Sequence, residues 1–252
     1  MHPFILTHNA VSDLSPLELI EAAARSGYSG VSMRMVPTPL FPFFPVAGDK
    51  KMIGDIKQAL KRNNVSLFEI LTLYLEPDFH SQRYIPALEA GAELGATFAL
   101  ATCADPDPNR RSENLARLGE AGEQFGLTIG FTYAMATEVR SMDETLSLLK
   151  KAGSPNVGLV VDTAQLDRCD EGIAELKRAP LELYRYVQFT DRKAHTDQIC
   201  PAGEGDLALK EILTALPDEI PLVLEVPPTG KNTLGAVWAD HLARQTSAYL
   251  GH

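Results

Sequence analysis

Three apolar runs in this chain end on polar side chains of kinds that can move protons or hold a cation. Asp162 closes Val-Gly-Leu-Val-Val-Asp, Gln188 lies within Tyr-Val-Gln-Phe-Thr-Asp, and Glu225 closes Pro-Leu-Val-Leu-Glu. A polar group at the end of a buried run costs free energy unless it finds a partner. Two carboxylates brought together repel each other unless a cation or a shared proton lies between them. Such oxygen ligands suit Mg²⁺ or Mn²⁺, and Zn²⁺ less well where His and Cys are missing. Any one of them alone could equally belong to a hydrogen-bonded polar layer, but the three together point to function. Other apolar runs end near His8, Arg34, Glu69, Thr102 with Cys103, Thr132 and Asp191.

The elements that must position these groups follow one pattern repeated eight times: a short β-branched or aromatic run, a polar turn, then a stretch with helical spacing. The strand-like runs are Phe4–Thr7, Gly30–Met33, Ser66–Leu71, Thr97–Ala101, Thr128–Phe131, Val157–Val161, Tyr184–Phe189 and Pro221–Leu224. Helical segments lie between them: Pro16–Ser26 behind Ser15 as N-cap, Asp49–Asn63, Arg83–Leu94, Ser112–Phe125, Asp143–Lys151, Gly172–Arg178, Leu207–Leu216 and Thr233–Leu250. Gly27, Gly95, Gly126 and Gly153 close helices as left-handed caps. Strict alternation predicts parallel strands with right-handed crossovers. The fold class is α/β, and eight units in 252 residues fit a single (β/α)8 barrel spanning 1–252. An open doubly wound sheet is the alternative, without a GxGxxG or GxxxxGK[ST] motif to support it. In such a barrel the reactive groups sit where strands end, so the three residues named first should share one cavity.

Composition narrows the partners. Lys and Arg total 23 against 33 for Asp and Glu, a formal charge of −10 that repels phosphate backbones and argues against nucleic acid. No apolar run approaches the roughly 18 residues that cross a bilayer, so no membrane partner is expected. The first residues lack a basic segment before a long apolar stretch, and three widely spaced cysteines suit neither a disulfide framework nor a zinc site. The expected setting is a reduced cytoplasm, and the expected partner a small-molecule substrate.

Val160–Thr163, Val187–Asp191, Pro201–Leu207 and Leu224–Val226 together resemble the xylose-isomerase-like barrel superfamily, the sugar phosphate isomerases/epimerases related to inosose and 3-dehydroshikimate dehydratases. The likeness runs through nearly the whole chain; its motifs mark the superfamily and not the substrate. It implies a metal site built from a Glu on the fifth strand, an Asp on the sixth, a His or Gln on the seventh and a Glu on the eighth. Asp162, Gln188 and Glu225 hold the last three places. The first departs: where the family reads like Leu-Ala-Leu-Glu-Phe, this chain has Ile129-Gly130-Phe131-Thr132-Tyr133. The family's Asp-Thr-x-His is here Asp162-Thr163-Ala164-Gln165. Thr132 is a poor ligand and no base, so a Mg, Mn or Zn ion should bind about tenfold or more weakly, although three oxygen ligands and waters can still hold one.

Other groups could take over the ion's work. Arg34 offers a fixed cation for a carboxylate or enolate oxygen, or it forms a salt bridge to Glu69. Glu69, inside Phe-Glu-Ile-Leu, either pairs or keeps a raised pKa useful to a base. His8 either shuttles protons or is a hydrogen-bonded structural ring. Thr132, Gln165, Lys193 and His195 are candidate substrate contacts, the last two equally solvated loop charges. The aromatic, proline-rich loop Val36–Val46 is either a lid over an apolar ligand or a docking face for a homodimer, and with Met33, Met35, Phe131 and Tyr133 it points to a ligand less polar than a free sugar. Pro228–Thr233 opens the last helix as a phosphate loop would, opposed by Glu204 and Asp206, of which Asp206 is read as a helix cap. The resemblance and these residues together imply an isomerase or epimerase that abstracts a proton next to a carbonyl. Glu225 and Glu69 would act as bases, and Arg34 or a divalent metal would stabilise the enediolate. A dehydratase sharing that step, or a ligand-binding barrel without catalysis, are the rivals.

Overall fold

The computed structural model describes residues 1–38, 43–194, 196–228 and 234–251. Eight parallel strands close into a barrel: β1 (Phe4–Thr7), β2 (Gly30–Arg34), β3 (Ser66–Leu75), β4 (Phe98–Cys103), β5 (Thr128–Phe131), β6 (Val157–Asp162), β7 (Tyr184–Gln188) and β10 (Leu222–Leu224), with β10 hydrogen-bonded to β1 and β7. The helices are α1 (Pro16–Arg25), α2 (Lys50–Asn63), α3 (Ile85–Glu93), α4 (Pro108–Gln124), α5 (Met142–Ala152), α6 (Thr163–Arg168), α7 (Ile173–Leu176), α8 (Leu209–Thr214) and α9 (Gly235–Leu250). The expected alternation is therefore the observed one, and the open sheet is set aside. Ser15 and Glu18 form a reciprocal cap at the start of α1, with Pro16 in the first turn. Gly27, Gly95, Gly126 and Gly153 all take positive φ where a helix turns back to the next strand.

Two features escaped the periodicity. A hairpin, β8 (Asp191–Arg192) with β9 (Ile199–Cys200), follows β7, and α6 starts directly on Asp162. The segment expected as helix over Gly172–Arg178 shortens to the four residues of α7.

Alternation along the strands sorts side chains between two cores. Leu6, Val31, Met33, Ile70, Phe131 and Val161 face the helices, in the larger cluster. Ile5, Leu71, Leu100, Val160, Tyr186 and Val223 fill the barrel, with Phe68 and Phe98 packed on Tyr186 at ring distances of 5.2 and 5.3 Å. Gly130 makes room there, because a Cβ at that position would stand 2.7 Å from Val160 and 3.1 Å from the Tyr186 ring. Two residues beyond each barrel-filling position the same face of the strand reaches the mouth. From Leu100, Gly130, Val160, Tyr186 and Val223 that step arrives at Thr102, Thr132, Asp162, Gln188 and Glu225.

Candidate active site

Glu225, one residue past β10, is the centre of the mouth. Its Oε2 accepts from the Gln188 amide at 2.6 Å and its Oε1 from the Asn9 amide at 2.9 Å. Asn9 also accepts, through Oδ1, from the Arg34 guanidinium at 2.7 Å. One asparagine thus ties a cation on β2 to a carboxylate on β10. Arg34 is 2% exposed, and burial lowers its pKa while the charge of Glu225 raises it. Asp162 pairs in register with Gln188, and its Oδ1 caps α6 through the Ala164 and Gln165 N–H groups at 2.9 and 3.0 Å. Thr163 braces the same strand ends, donating to the Thr190 carbonyl and accepting from its N–H.

The electrostatics follow from that crowding. Burial, with help from the Asp162 charge, pushes Glu225 up to about 7, against the opposing amide bonds and Arg34. Burial also raises Asp162, opposed by its two backbone donors. Asp162, Gln188 and Glu225 are thus neighbours at the strand ends: Gln188 pairs with Asp162 and donates to Glu225, and the Asp162 charge reaches Glu225.

Below them, Glu69 is fully buried and accepts from the Ser32 hydroxyl on β2 and from the Tyr186 hydroxyl, which crosses the barrel from β7. Burial lifts its carboxyl to about 8. Glu69 faces Ser32, its register partner, while Arg34 pairs with Leu71 two positions higher, and the charge acting on Glu69 is that of Glu225 and not a salt bridge to Arg34. His8 is buried too. Its Nε2 bonds the Leu14 carbonyl at 2.7 Å, its Nδ1 takes the Arg34 N–H at 3.4 Å, and its ring stacks on Phe44 at 5.9 Å. Burial lowers its pKa to about 4, which leaves a neutral ring with both nitrogens engaged.

The remaining candidates divide. The Thr132 and Thr102 hydroxyls are buried without a hydrogen-bond partner among the described residues, on adjacent strand ends. Gln165 spends its carbonyl on the Met135 N–H at 3.2 Å, which anchors the loop after β5. Lys193 is exposed on the β8–β9 hairpin, and His195 lies outside the described residues. So do residues 39–42 of the aromatic loop and 229–233 of the suggested phosphate loop. Asp206 does not cap α8, whose N-cap is Ala208; it accepts from the Ala194 N–H and braces the hairpin. Asp191 is the true organiser of the Pro201–Leu207 motif, accepting from the N–H groups of Gly203, Gly205 and Leu207. Gly205 must be glycine for this, since a Cβ would stand 2.3 Å from Asp191 Oδ1.

A divalent ion fits this donor set poorly. Both Glu225 oxygens already accept amide hydrogens, Asp162 spends one oxygen on a helix cap, and Gln188 turns N–H toward Glu225. The fifth-strand carboxylate is the hydroxyl of Thr132. Among the described residues no three His, Cys, Asp or Glu side chains converge as ion ligands. The positive charge near Glu225 comes from Arg34.

Known proteins share this architecture. No curated protein matches the chain. Among solved structures, the IOLI protein with a bound zinc atom superposes with a TM-score of 0.79 at 17% identity, covering 98% of this chain and 99% of that one. A probable 3-DHS dehydratase, AsbF from Bacillus anthracis, gives 0.76 at 13% identity over 96% and 97%. A xylose isomerase-like TIM barrel/4-hydroxyphenylpyruvate dioxygenase fusion protein gives 0.78 at 17% identity; the match takes in 99% of this chain and spans 44% of the fusion. D-allulose 3-epimerase from Methylomonas sp. and 3-keto-D-glucoside 4-epimerase from E. coli are further matches. The family model of the xylose isomerase-like TIM barrel covers residues 20–247, and the chain belongs to that family.

Proposed function

We propose that this barrel is an isomerase or epimerase of a hydroxy-carbonyl small molecule, and that it works by removing a proton next to the carbonyl. The observation that carries the reading is the Arg34–Asn9–Glu225 bridge, which holds a base and a cation on opposite sides of one amide. Glu225, with a pKa near neutrality, is partly ionised at pH 7 and takes the proton from carbon. Arg34 stabilises the enediolate oxygen that develops, the part an ion would otherwise play. The unpartnered Thr102 and Thr132 hydroxyls accept or donate to the substrate's own hydroxyls. Returning the proton from Glu225 to the neighbouring carbon, while the hydroxyl proton passes from one enediolate oxygen to the other, completes isomerisation; epimerisation needs a second acid to protonate the opposite face of the same intermediate. Glu69 lies one layer too deep to touch substrate and, raised by burial and by the charge of Glu225, holds its proton at neutral pH; His8 positions the Arg34 backbone. Epimerases and a dehydratase of like fold support a family of such chemistries. The dehydratase reading has one observation of its own: Asp162, its carboxyl raised by burial, could protonate a departing hydroxyl.

The test is uptake of deuterium from D2O at the carbon next to the carbonyl, followed by NMR across a panel of hydroxy-ketones and hydroxy-aldehydes. Glu225→Gln should slow exchange by about a hundredfold or more while the circular dichroism spectrum is kept. Exchange at the wild-type rate in that variant would end the proposal.

A further inference from the structure

A cavity of about 680 Å³ opens beside the site, and its walls are mostly apolar. Met35 and Val36, which follow Arg34 directly, form one side with Phe43; Tyr74, Tyr84 and Ala87 form the other. Tyr74 lies within electrostatic reach of Arg34, and Met35 is its chain neighbour, so the cavity borders the residue proposed to hold the oxyanion. Most of its polar fittings are already used, the Tyr74 hydroxyl apart. Tyr84 donates to the Tyr74 carbonyl at 2.8 Å and accepts the Tyr74 N–H at 3.0 Å, while Arg83 at the rim is neutralised by Glu76 and Asp78 at 3.1 and 3.0 Å. A sugar chain placed there would leave most of its hydroxyls unpaired, and a phosphate would meet no unneutralised cation at that rim. Rings and a thioether instead line it, which suits a flat hydrocarbon group. The size is that of a small-molecule site.

We infer that this cavity is a specificity subsite for an uncharged aromatic arm of the substrate, whose hydroxy-carbonyl head lies over Glu225. The inference rests on the function proposed above for the location of the head. The reaction at Glu225 is unchanged by it: the proton moves between carbon and carboxylate, and the arm only binds.

The experiment is calorimetric titration of the full chain with two acyloins that differ in the arm, acetoin and 3-hydroxy-4-phenylbutan-2-one. The phenyl compound should bind at least about tenfold more tightly, the return expected from burying one ring. Ala87→Phe, which fills the cavity from α3, should remove that preference and leave acetoin affinity unchanged. Ala47→Leu fills the same space from a half-buried position and serves if the first variant fails to fold. Equal affinities in the wild type, a preference that survives filling, or no saturable binding of the phenyl compound each overturn the subsite. Deuterium uptake measured on the same samples separates the two ideas. Exchange with equal affinities sinks the subsite alone, and preference without exchange sinks the reaction alone.

Discussion

Replacing Glu69 with Gln should stabilise the protein, and more so as pH rises. The carboxyl is fully buried, its described donors are two hydroxyls, and burial moves it from 4.5 to about 8. Between those values the folded chain keeps a proton that the unfolded chain releases, so wild-type stability falls as pH rises through this window. At about 1.4 kcal/mol per pH unit, the loss between pH 5 and pH 8 is roughly 3 kcal/mol, an order-of-magnitude figure. Gln mimics the protonated acid and does not titrate, so Glu69→Gln should melt close to wild type at pH 5. At pH 8 it should melt several degrees higher, given about 2–4 °C per kcal/mol for a chain of this size. Thermal melts of both proteins at pH 5, 6.5 and 8, followed by circular dichroism, make the comparison; titration of Glu225 is common to both and largely cancels. A difference that does not change with pH would refute the argument. So would a variant less stable than wild type at every pH, because Glu69 would then be a charge the fold favours.

Other outcomes follow from the same geometry. Deuterium exchange should rise with pH around an apparent pKa of about 7, because Glu225 must lose its proton to act. Asn9→Ala removes a bond that favours the charged form, so exchange should fall about tenfold or more and its pH profile should move upward, as rate measurements between pH 5 and 9 would show. Chelation with EDTA should leave exchange unchanged if Arg34 supplies the positive charge; a loss restored by Mn²⁺ or Mg²⁺ would show that an ion does. Gly205→Ala forces a Cβ against Asp191 and should cost about 1–3 kcal/mol, read as a lower melting temperature.

How much of this was legible beforehand varies with the physics of each residue. Asp162, Gln188 and Glu225 could be placed because each closes an apolar run, and strand alternation carries the residues before them into the barrel. Asn9 gave no such sign. It follows β1 by two residues and reads as an ordinary turn Asn, and only the closed ring brings it to Glu225 and Arg34. For Glu69 the sequence left two readings open, a pair with Arg34 or a raised pKa; its position inside an apolar run makes the second legible, whereas its partner Ser32 is set by a slip in the β2–β3 register that no single sequence reports. The β8–β9 hairpin has strands of two residues, too short for a period to show. The organiser of the Gly-Glu-Gly-Asp motif, Asp191, sits twelve residues before Gly203, at the start of β8, where no local spacing links the two.

The asparagine clamp spans 216 positions of the chain, from residue 9 to residue 225. A growing polypeptide thus emerges from synthesis with its guanidinium and its acid still strangers, and the two meet only when the final stave of the cask is in place. Under the function proposed above, folding and switching on become a single event, and a truncated or half-assembled copy should show no deuterium exchange.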